Sequence, residues 1–81
     1  MYSYITIAAT PDGKKQGLGR RKFQTPPRIG EFIELEENGM GFIYKVLAII
    51  HPNEPIENVG DLYVTRIDET VDFLKNLYNH L

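Results

Sequence analysis

The stretch Met40 to His51, MGFIYKVLAIIH, is the longest apolar run in this chain of 81 residues. Its β-branched and aromatic side chains favour a strand over a helix. The dipeptide Asn38-Gly39 stands directly before it and is the strongest short-range signal for a type I′ hairpin turn. We therefore predict a long central strand that enters the sheet through a tight hairpin.

The segment before this turn, Arg28 to Asn38, alternates apolar with acidic side chains, which is typical of a strand with one dry and one wet face. A two-residue turn pairs Leu35 with Phe42 on one face of the hairpin. The same register pairs Ile33 with Tyr44 on that face, so apolar side chains meet apolar side chains. The turn and the hydrophobic pattern therefore agree on a single register.

The central strand is apolar on both of its faces, so a second element must cover the face that the core does not use. Strict alternation places two sets of side chains on opposite faces, namely Phe42, Tyr44, Val46, Ala48 and Ile50 on one, and Ile43, Leu47 and Ile49 on the other. The C-terminal segment 69–81 is the expected cover, because its apolar side chains follow helical spacing and form one stripe: Val71, Leu74, Leu77, Tyr78 and Leu81. A helix of roughly 12 residues is marginal alone and has to dock.

Two further strands and one loop complete the expected fold. Tyr2 to Ala9 predicts a strand with Ile5 and Ile7 toward the core, and Asp61 to Ile67 predicts the last strand. Thr10-Pro11-Asp12-Gly13 predicts a β-turn that ends the first of these strands. Gly13 to Arg21 contains three glycines and almost nothing to bury, which predicts a mobile loop. The expected fold is therefore mainly β (α+β): a small antiparallel, partly open barrel of four or five strands with one C-terminal α-helix, in a single domain over residues 1–81.

Length and composition place the chain among small globular proteins. Apolar residues make up 42% of it, which is enough for one compact core. There is no cysteine, which removes disulfides and thiolate chemistry and suits a reducing compartment. No apolar run approaches the roughly 18 residues of a membrane span, and the first residues lack the basic region of a signal peptide. We expect no membrane association and a cytoplasmic location.

The run Arg28-Ile29-Gly30-Glu31-Phe32-Ile33 resembles the strand that follows the irregular first loop of small SH3-like β-barrels. The wider pattern over residues 26–67 is similar to small uncharacterised bacterial and phage proteins with such a barrel. The resemblance implies an SH3-like fold and a bacterial origin, and it implies no particular activity. The chain has no tryptophan and no ALYDY-like stretch, so a poly-proline ligand of the eukaryotic SH3 kind is not expected.

Charge is strongly segregated, although the net charge is only −2. Residues 14–28 carry six positive charges and no negative one, whereas residues 29–81 carry three positive and ten negative charges. This asymmetry predicts a binding surface on the basic segment 13–23, made of Lys14, Lys15, Arg20, Arg21, Lys22 and Phe23. Three interpretations stay open: the segment contacts an acidic protein partner, it follows a nucleic-acid phosphate backbone with nearby aromatics stacking on bases, or it is a solvated loop.

Other candidate residues are secondary. Tyr44, His51 and Arg66 could add to a binding surface, but His51 has no second histidine at metal-ligand spacing and the chain has no nucleotide-binding glycine motif. We therefore expect no catalytic residue, no metal and no cofactor. The preferred hypothesis is a non-enzymatic interaction module with an unidentified protein partner, nucleic-acid binding is the alternative, and an enzyme is third. The apolar stripe of the helix also predicts a homodimer if it does not cover its own sheet.

Overall fold

The structure is a computed structural model that describes residues 1–53 and 59–80. In this part of the chain there are five strands and one helix: β1 (Tyr2–Ala9), β2 (Lys15–Phe23), β3 (Phe32–Glu37), β4 (Met40–Ile50), β5 (Val59–Glu69) and α1 (Thr70–Asn79). The strands form one sheet in the order β2-β1-β5-β4-β3, and this sheet curls into a half-barrel. The mainly β class with a single C-terminal helix is confirmed.

The strand directions differ from the expected antiparallel arrangement at one place. β1 and β5 run parallel, with Ser3 beside Val59 and Ala8 beside Val64, whereas all other neighbouring strands are antiparallel. A tight turn forces successive strands to run antiparallel, but β1 and β5 are separated by three intervening strands. No local signal therefore sets their relative direction, and the sheet is mixed.

The β3–β4 hairpin has the predicted turn and the predicted register. Asn38 and Gly39 both have positive φ angles, 51° and 80°, as a type I′ turn requires. Leu35 lies opposite Phe42 and Ile33 lies opposite Tyr44. This register puts the two apolar pairs on the concave face of the half-barrel, which we call the inner face.

The hydrophobic core fills the inner face and draws on all five strands. Its members are Tyr4, Ala8, Leu18, Leu35, Phe42, Tyr44, Val46, Leu62 and Val64, with Phe23, Ile33 and Ile49 packed against them. A register shift between Val46 and Ala48 breaks the alternation of β4. Ile49 therefore packs against the core, whereas Ile50 is 51% exposed, so the expectation of strict alternation is wrong beyond Val46.

The prediction that Ile5 and Ile7 face the core is also wrong. The buried residues of β1 are Tyr4, Thr6 and Ala8, while Ile5 is 36% exposed on the opposite, outer face. The Tyr4 ring packs 6.1 Å from the Phe23 ring at one end of the half-barrel. β1 is paired with β2 on one side and β5 on the other, so the direction in which the whole sheet curls determines which of its faces is inside. The hydropathy of β1 alone does not determine this.

The helix α1 lies on the outer face, where it contacts β4 and β5. The Phe73 ring packs 5.3 Å from the Phe32 ring, and Ile43 is buried on this side of the sheet. No residue of the helix is fully buried, and Val71 and Tyr78 remain 75% and 77% exposed. The helix therefore docks through one border of its apolar stripe and leaves the rest uncovered; Leu81, predicted to extend the stripe, lies outside the described residues.

We predict that two leucines in neighbouring strands, Leu62 and Leu47, make very different contributions to the free energy of unfolding. Leu62→Ala should lower the free energy of unfolding by about 2–5 kcal/mol, because Leu62 is 0% exposed in the core. Leu47→Ala should cost less than about 1 kcal/mol, because Leu47 is 44% exposed at the β4 irregularity. Urea unfolding followed by circular dichroism measures both, and equal losses would contradict the assignment of the inner face.

Candidate functional site

The basic segment is an edge strand, which corrects the expectation of a mobile loop. Lys15–Phe23 pairs with β1 along its whole length, and Leu18 is buried in the core. The pairing skips one residue between Gly17 and Gly19, and Gly19 has a φ of 79°, a conformation that suits glycine at a bulge. The glycines thus allow a bulge that inserts Leu18 into the core, rather than a disordered loop.

The turn before this strand was predicted correctly at Thr10 to Gly13. The Gly13 amide donates to the Thr10 carbonyl at 2.9 Å, and the Thr10 amide donates to the Lys14 carbonyl at 2.9 Å. The Thr10 hydroxyl donates a hydrogen bond to the Asp12 carboxylate, which lowers the pKa of Asp12. The Lys14 ammonium lies 3.9 Å from the same carboxylate group. The backbone at Lys14 is therefore held in place by hydrogen bonds of the turn.

Pairing with β1 sorts the cations of β2 onto two faces. Residues that lie opposite each other in a ladder share a face of the sheet. Lys15, Arg20 and Lys22 lie opposite residues of β1 that are on the outer face, namely Ala9, Ile5 and Ser3. Arg21 lies opposite the core residue Tyr4 and belongs to the inner face. The predicted basic cluster is therefore divided.

Arg21 connects the two edges of the half-barrel. Its Nε donates to the Leu18 carbonyl at 2.9 Å and its Nη1 donates to the Glu36 carbonyl at 2.9 Å. Glu36 belongs to β3, the edge strand at the other end of the sheet order. The guanidinium therefore occupies the gap between β2 and β3, and two of its N–H groups make hydrogen bonds that stabilise the fold. Phe23, predicted as a binding aromatic, packs beside Tyr4.

The outer face beside β2 combines three cations with apolar side chains. Ile5 and Ile7 lie on this face of β1, and Tyr63 of β5 lies next to Ile7. The Lys15 ammonium lies 5.8 Å from the centre of the Tyr63 ring. We call this surface, made of Lys15, Arg20, Lys22, Ile5 and Ile7, the basic outer surface.

Two of the predicted cations, Lys14 and Lys15, also lie near Tyr44 and Arg66 at a second candidate site. These four residues line a cleft of about 380 Å³ together with Ala8, Ala9, Thr10 and Gln16. We call it the cationic cleft. It lies where the β1–β2 turn approaches β4 and β5, so residues from three distant parts of the sequence converge. Thr10 and Gln16 were missed by sequence reasoning, because their place in the cleft depends on how the bulged β2 pairs with β1.

The electrostatics of the cleft centre on Arg66 and Tyr44. The Arg66 guanidinium carbon lies 3.8 Å from the centre of the Phe42 ring, which is a close cation–π contact. Tyr44 is 2% exposed, and its pKa is raised chiefly by burial, then by the negative charge of Glu37 and a hydrogen bond to it. Arg66 and Arg21 act in the opposite direction on that pKa. Tyr44 therefore stays a neutral hydroxyl at physiological pH.

His51 lies apart from these residues. It is exposed and lines a different cleft of about 490 Å³, together with Tyr2, Tyr4, Pro26 and Pro52. This cleft lies at the beginning of β1, whereas the cationic cleft lies at its end. The structure thus brings Tyr44 and Arg66 to the basic segment and leaves His51 at the other end of the half-barrel.

Neither a metal centre nor a membrane-spanning helix is found in the described parts of the chain. Residues 1–53 and 59–80 contain no group of three or more acidic or histidine side chains placed to hold a metal ion. No helix among them is long and apolar enough to cross a membrane.

Comparison with known proteins finds no family model, no curated protein and no solved structure that matches this chain. The function of the protein is therefore inferred from the geometry of the basic outer surface and the cationic cleft.

We predict that Arg21 contributes to stability and that its neighbour Lys22 does not. Arg21→Gln should lower the free energy of unfolding by about 1–3 kcal/mol, because two charge-assisted hydrogen bonds to backbone carbonyls are lost. Lys22→Gln removes the same charge from the exposed outer face and should change the value by less than about 0.5 kcal/mol. Chemical unfolding of both variants at the same pH and salt is the measurement, and indistinguishable values would show that Arg21 does not hold the two edges together.

Proposed function

We propose that the protein is a small non-enzymatic interaction module whose basic outer surface binds an acidic segment of a protein partner. The observation that carries this proposal is the shared face of Lys15, Arg20 and Lys22 with Ile5 and Ile7. An apolar centre with a charged border is the usual composition of a protein-binding surface. β2 contains no acidic residue, so its charge is uniformly complementary to an acidic partner.

Addition of a partner strand to the β2 edge fits the structure less well than binding on its outer face. An exposed edge strand is a template for an extended peptide because its backbone groups are unpaired. Here the Arg21 side chain already bonds the Leu18 carbonyl of β2 and the Glu36 carbonyl of β3. The side chain occupies the place where an added strand would run. The proposed contact is therefore made by side chains on the outer face.

The alternative partner is a nucleic acid, and the linear order of the three outer-face cations along one strand favours it. Phosphate contacts by three cations would give a log–log dependence of affinity on salt with a slope of about −2.7 on duplex DNA. The apolar centre of the surface argues for a protein instead, because isoleucine side chains do not provide an aromatic platform on which bases stack. The one ring beside them, Tyr63, already has the Lys15 ammonium 5.8 Å from its centre.

The test compares acidic peptides with oligonucleotides on matched variants. An array of short peptides in which glutamates alternate with apolar residues is probed with the native protein, with Arg20→Gln/Lys22→Gln, and with the control Lys45→Gln/Lys75→Gln. Both variants lose two positive charges, and Lys15 is left unchanged because it also lines the cationic cleft. We expect peptide binding that weakens at least tenfold in the β2 variant only.

Fluorescence anisotropy with single- and double-stranded oligonucleotides at two salt concentrations runs beside the array. If the protein bound oligonucleotides with a steep salt dependence and bound no peptide, the partner would be a nucleic acid and not a protein. Equal losses in both variants would show that only overall charge matters, and the basic outer surface would not be a specific site.

We also propose that a second copy of this chain covers the apolar stripe of α1. Val71, Leu74, Leu77 and Tyr78 are each more than half exposed, and no charged residue belongs to the stripe. In a twofold dimer the same patch meets itself, so two antiparallel helices would bury equal apolar side chains against each other. The cytoplasmic location and the bacterial origin stay predictions of the sequence.

Assembly is tested with two variants of α1, each of which adds one positive charge: one on the apolar stripe and one on the opposite side of the helix. Leu74→Lys should abolish a dimer, because a charge would be buried between the two stripes, whereas Asn76→Lys on the opposite side of the helix should leave it intact. Sedimentation velocity over a range of protein concentrations measures the assembly. A native protein that sediments as a monomer at all concentrations would contradict the proposal.

A further inference from the structure

We propose that the cationic cleft is a separate binding site for the oxyanion group, phosphate or carboxylate, of a small molecule. The inference goes beyond the proposed function because it concerns the inner face of the half-barrel and a small ligand. It stands on a different set of residues, of which only Lys15 also belongs to the basic outer surface.

The charge that lines the cleft is entirely positive among the described residues. Lys14 and Arg66 supply it, and no aspartate or glutamate lines the cleft. Lys15 also lines it, but the Lys15 ammonium lies 5.8 Å from the centre of the Tyr63 ring on the outer face. Two acidic groups contact residues that line the cleft: Asp12 pairs with the Lys14 ammonium at 3.9 Å, and Glu37 accepts from the Tyr44 hydroxyl. Asp12 and the Lys14 side chain are both largely exposed, 60% and 84%, so their pair is weak and Lys14 can turn toward an anion.

Arg66 is placed as the main anion-binding group. Its guanidinium carbon lies over the Phe42 ring at 3.8 Å from the ring centre, and the residue is otherwise exposed, so the Phe42 contact leaves N–H groups of the guanidinium open to a ligand. The cation–π contact favours a guanidinium at this position, and a planar guanidinium binds phosphate and carboxylate through two parallel hydrogen bonds. Among the ion pairs of the described chain, none involves Arg66.

The neutral groups of the cleft suit the same ligand. The Gln16 amide adds hydrogen-bond donors. The Thr10 hydroxyl already donates to Asp12 and the neutral Tyr44 hydroxyl to Glu37, so these two groups add no negative charge to the cleft. Ala8 and Ala9 provide a short apolar wall. The volume of about 380 Å³ lies at the small end of the range for ligand sites, which fits a small molecule with one oxyanion and a compact apolar body.

The test is a titration of the intact protein followed by amide chemical shifts in ¹H–¹⁵N NMR. The probes are inorganic phosphate, phenyl phosphate and benzoate, at constant ionic strength. We expect saturable shifts at residues 10–16, Tyr44 and Arg66, with phenyl phosphate or benzoate binding several-fold more tightly than inorganic phosphate. The comparison between phenyl phosphate and benzoate shows which oxyanion the site prefers.

Three variants make the result specific. Arg66→Gln should weaken binding at least tenfold, and Lys14→Gln should weaken it several-fold. The Lys14 side chain is 84% exposed in the turn, so its substitution should not disturb folding. Arg20→Gln/Lys22→Gln should leave it unchanged, which separates this site from the basic outer surface. Shifts that do not saturate, or a loss in Arg20→Gln/Lys22→Gln equal to that in Lys14→Gln, would overturn the proposal.

Discussion

Within residues 1–53 and 59–80, no second layer covers the inner face of the sheet, and most of the structure follows from this constraint. A sheet with one apolar face must bury it against something, and here the only helix of the described chain lies on the opposite face. The sheet covers itself by curling until Leu18 of β2 and Leu35 of β3 belong to one core. The two edge strands thereby approach each other, and Arg21 bonds to the backbone of both.

This closure explains why one short basic segment has several different roles. Because β2 must contribute to the core, it is a strand with a bulge that inserts Leu18 between Gly17 and Gly19. The alternation of a strand then divides its cations. Arg21 faces inward and joins the edges, whereas Arg20 and Lys22 remain on the outer face. The same curl brings the β1–β2 turn close to Arg66, which creates the cationic cleft without any sequence motif.

The helix has a smaller part in the fold than its sequence indicates. Its apolar stripe predicts full docking, yet only the border at Phe73 packs closely, on Phe32. Two elements can both have apolar faces and still meet only in part, because the geometry of the chain between β5 and α1 decides the contact. Glu69, the last residue of β5, is also the N-cap of the helix, so no linker allows the helix to turn its whole stripe to the sheet. The remaining apolar surface is therefore available to a partner.

What the sequence by itself determined is local: the type I′ turn at Asn38-Gly39, the register of the β3–β4 hairpin, the turn at Thr10 to Gly13 and the helix after residue 69. Each depends on residues close together in the chain, whose backbone preferences and alternation act without the rest of the fold. The tertiary structure decided the parallel pairing of β1 with β5, the inward face of β1, the strand conformation of the basic segment and the meeting of Lys14, Tyr44 and Arg66. These features depend on the curl of a five-strand sheet, which arises because the inner face as a whole, and no single segment, must be removed from water.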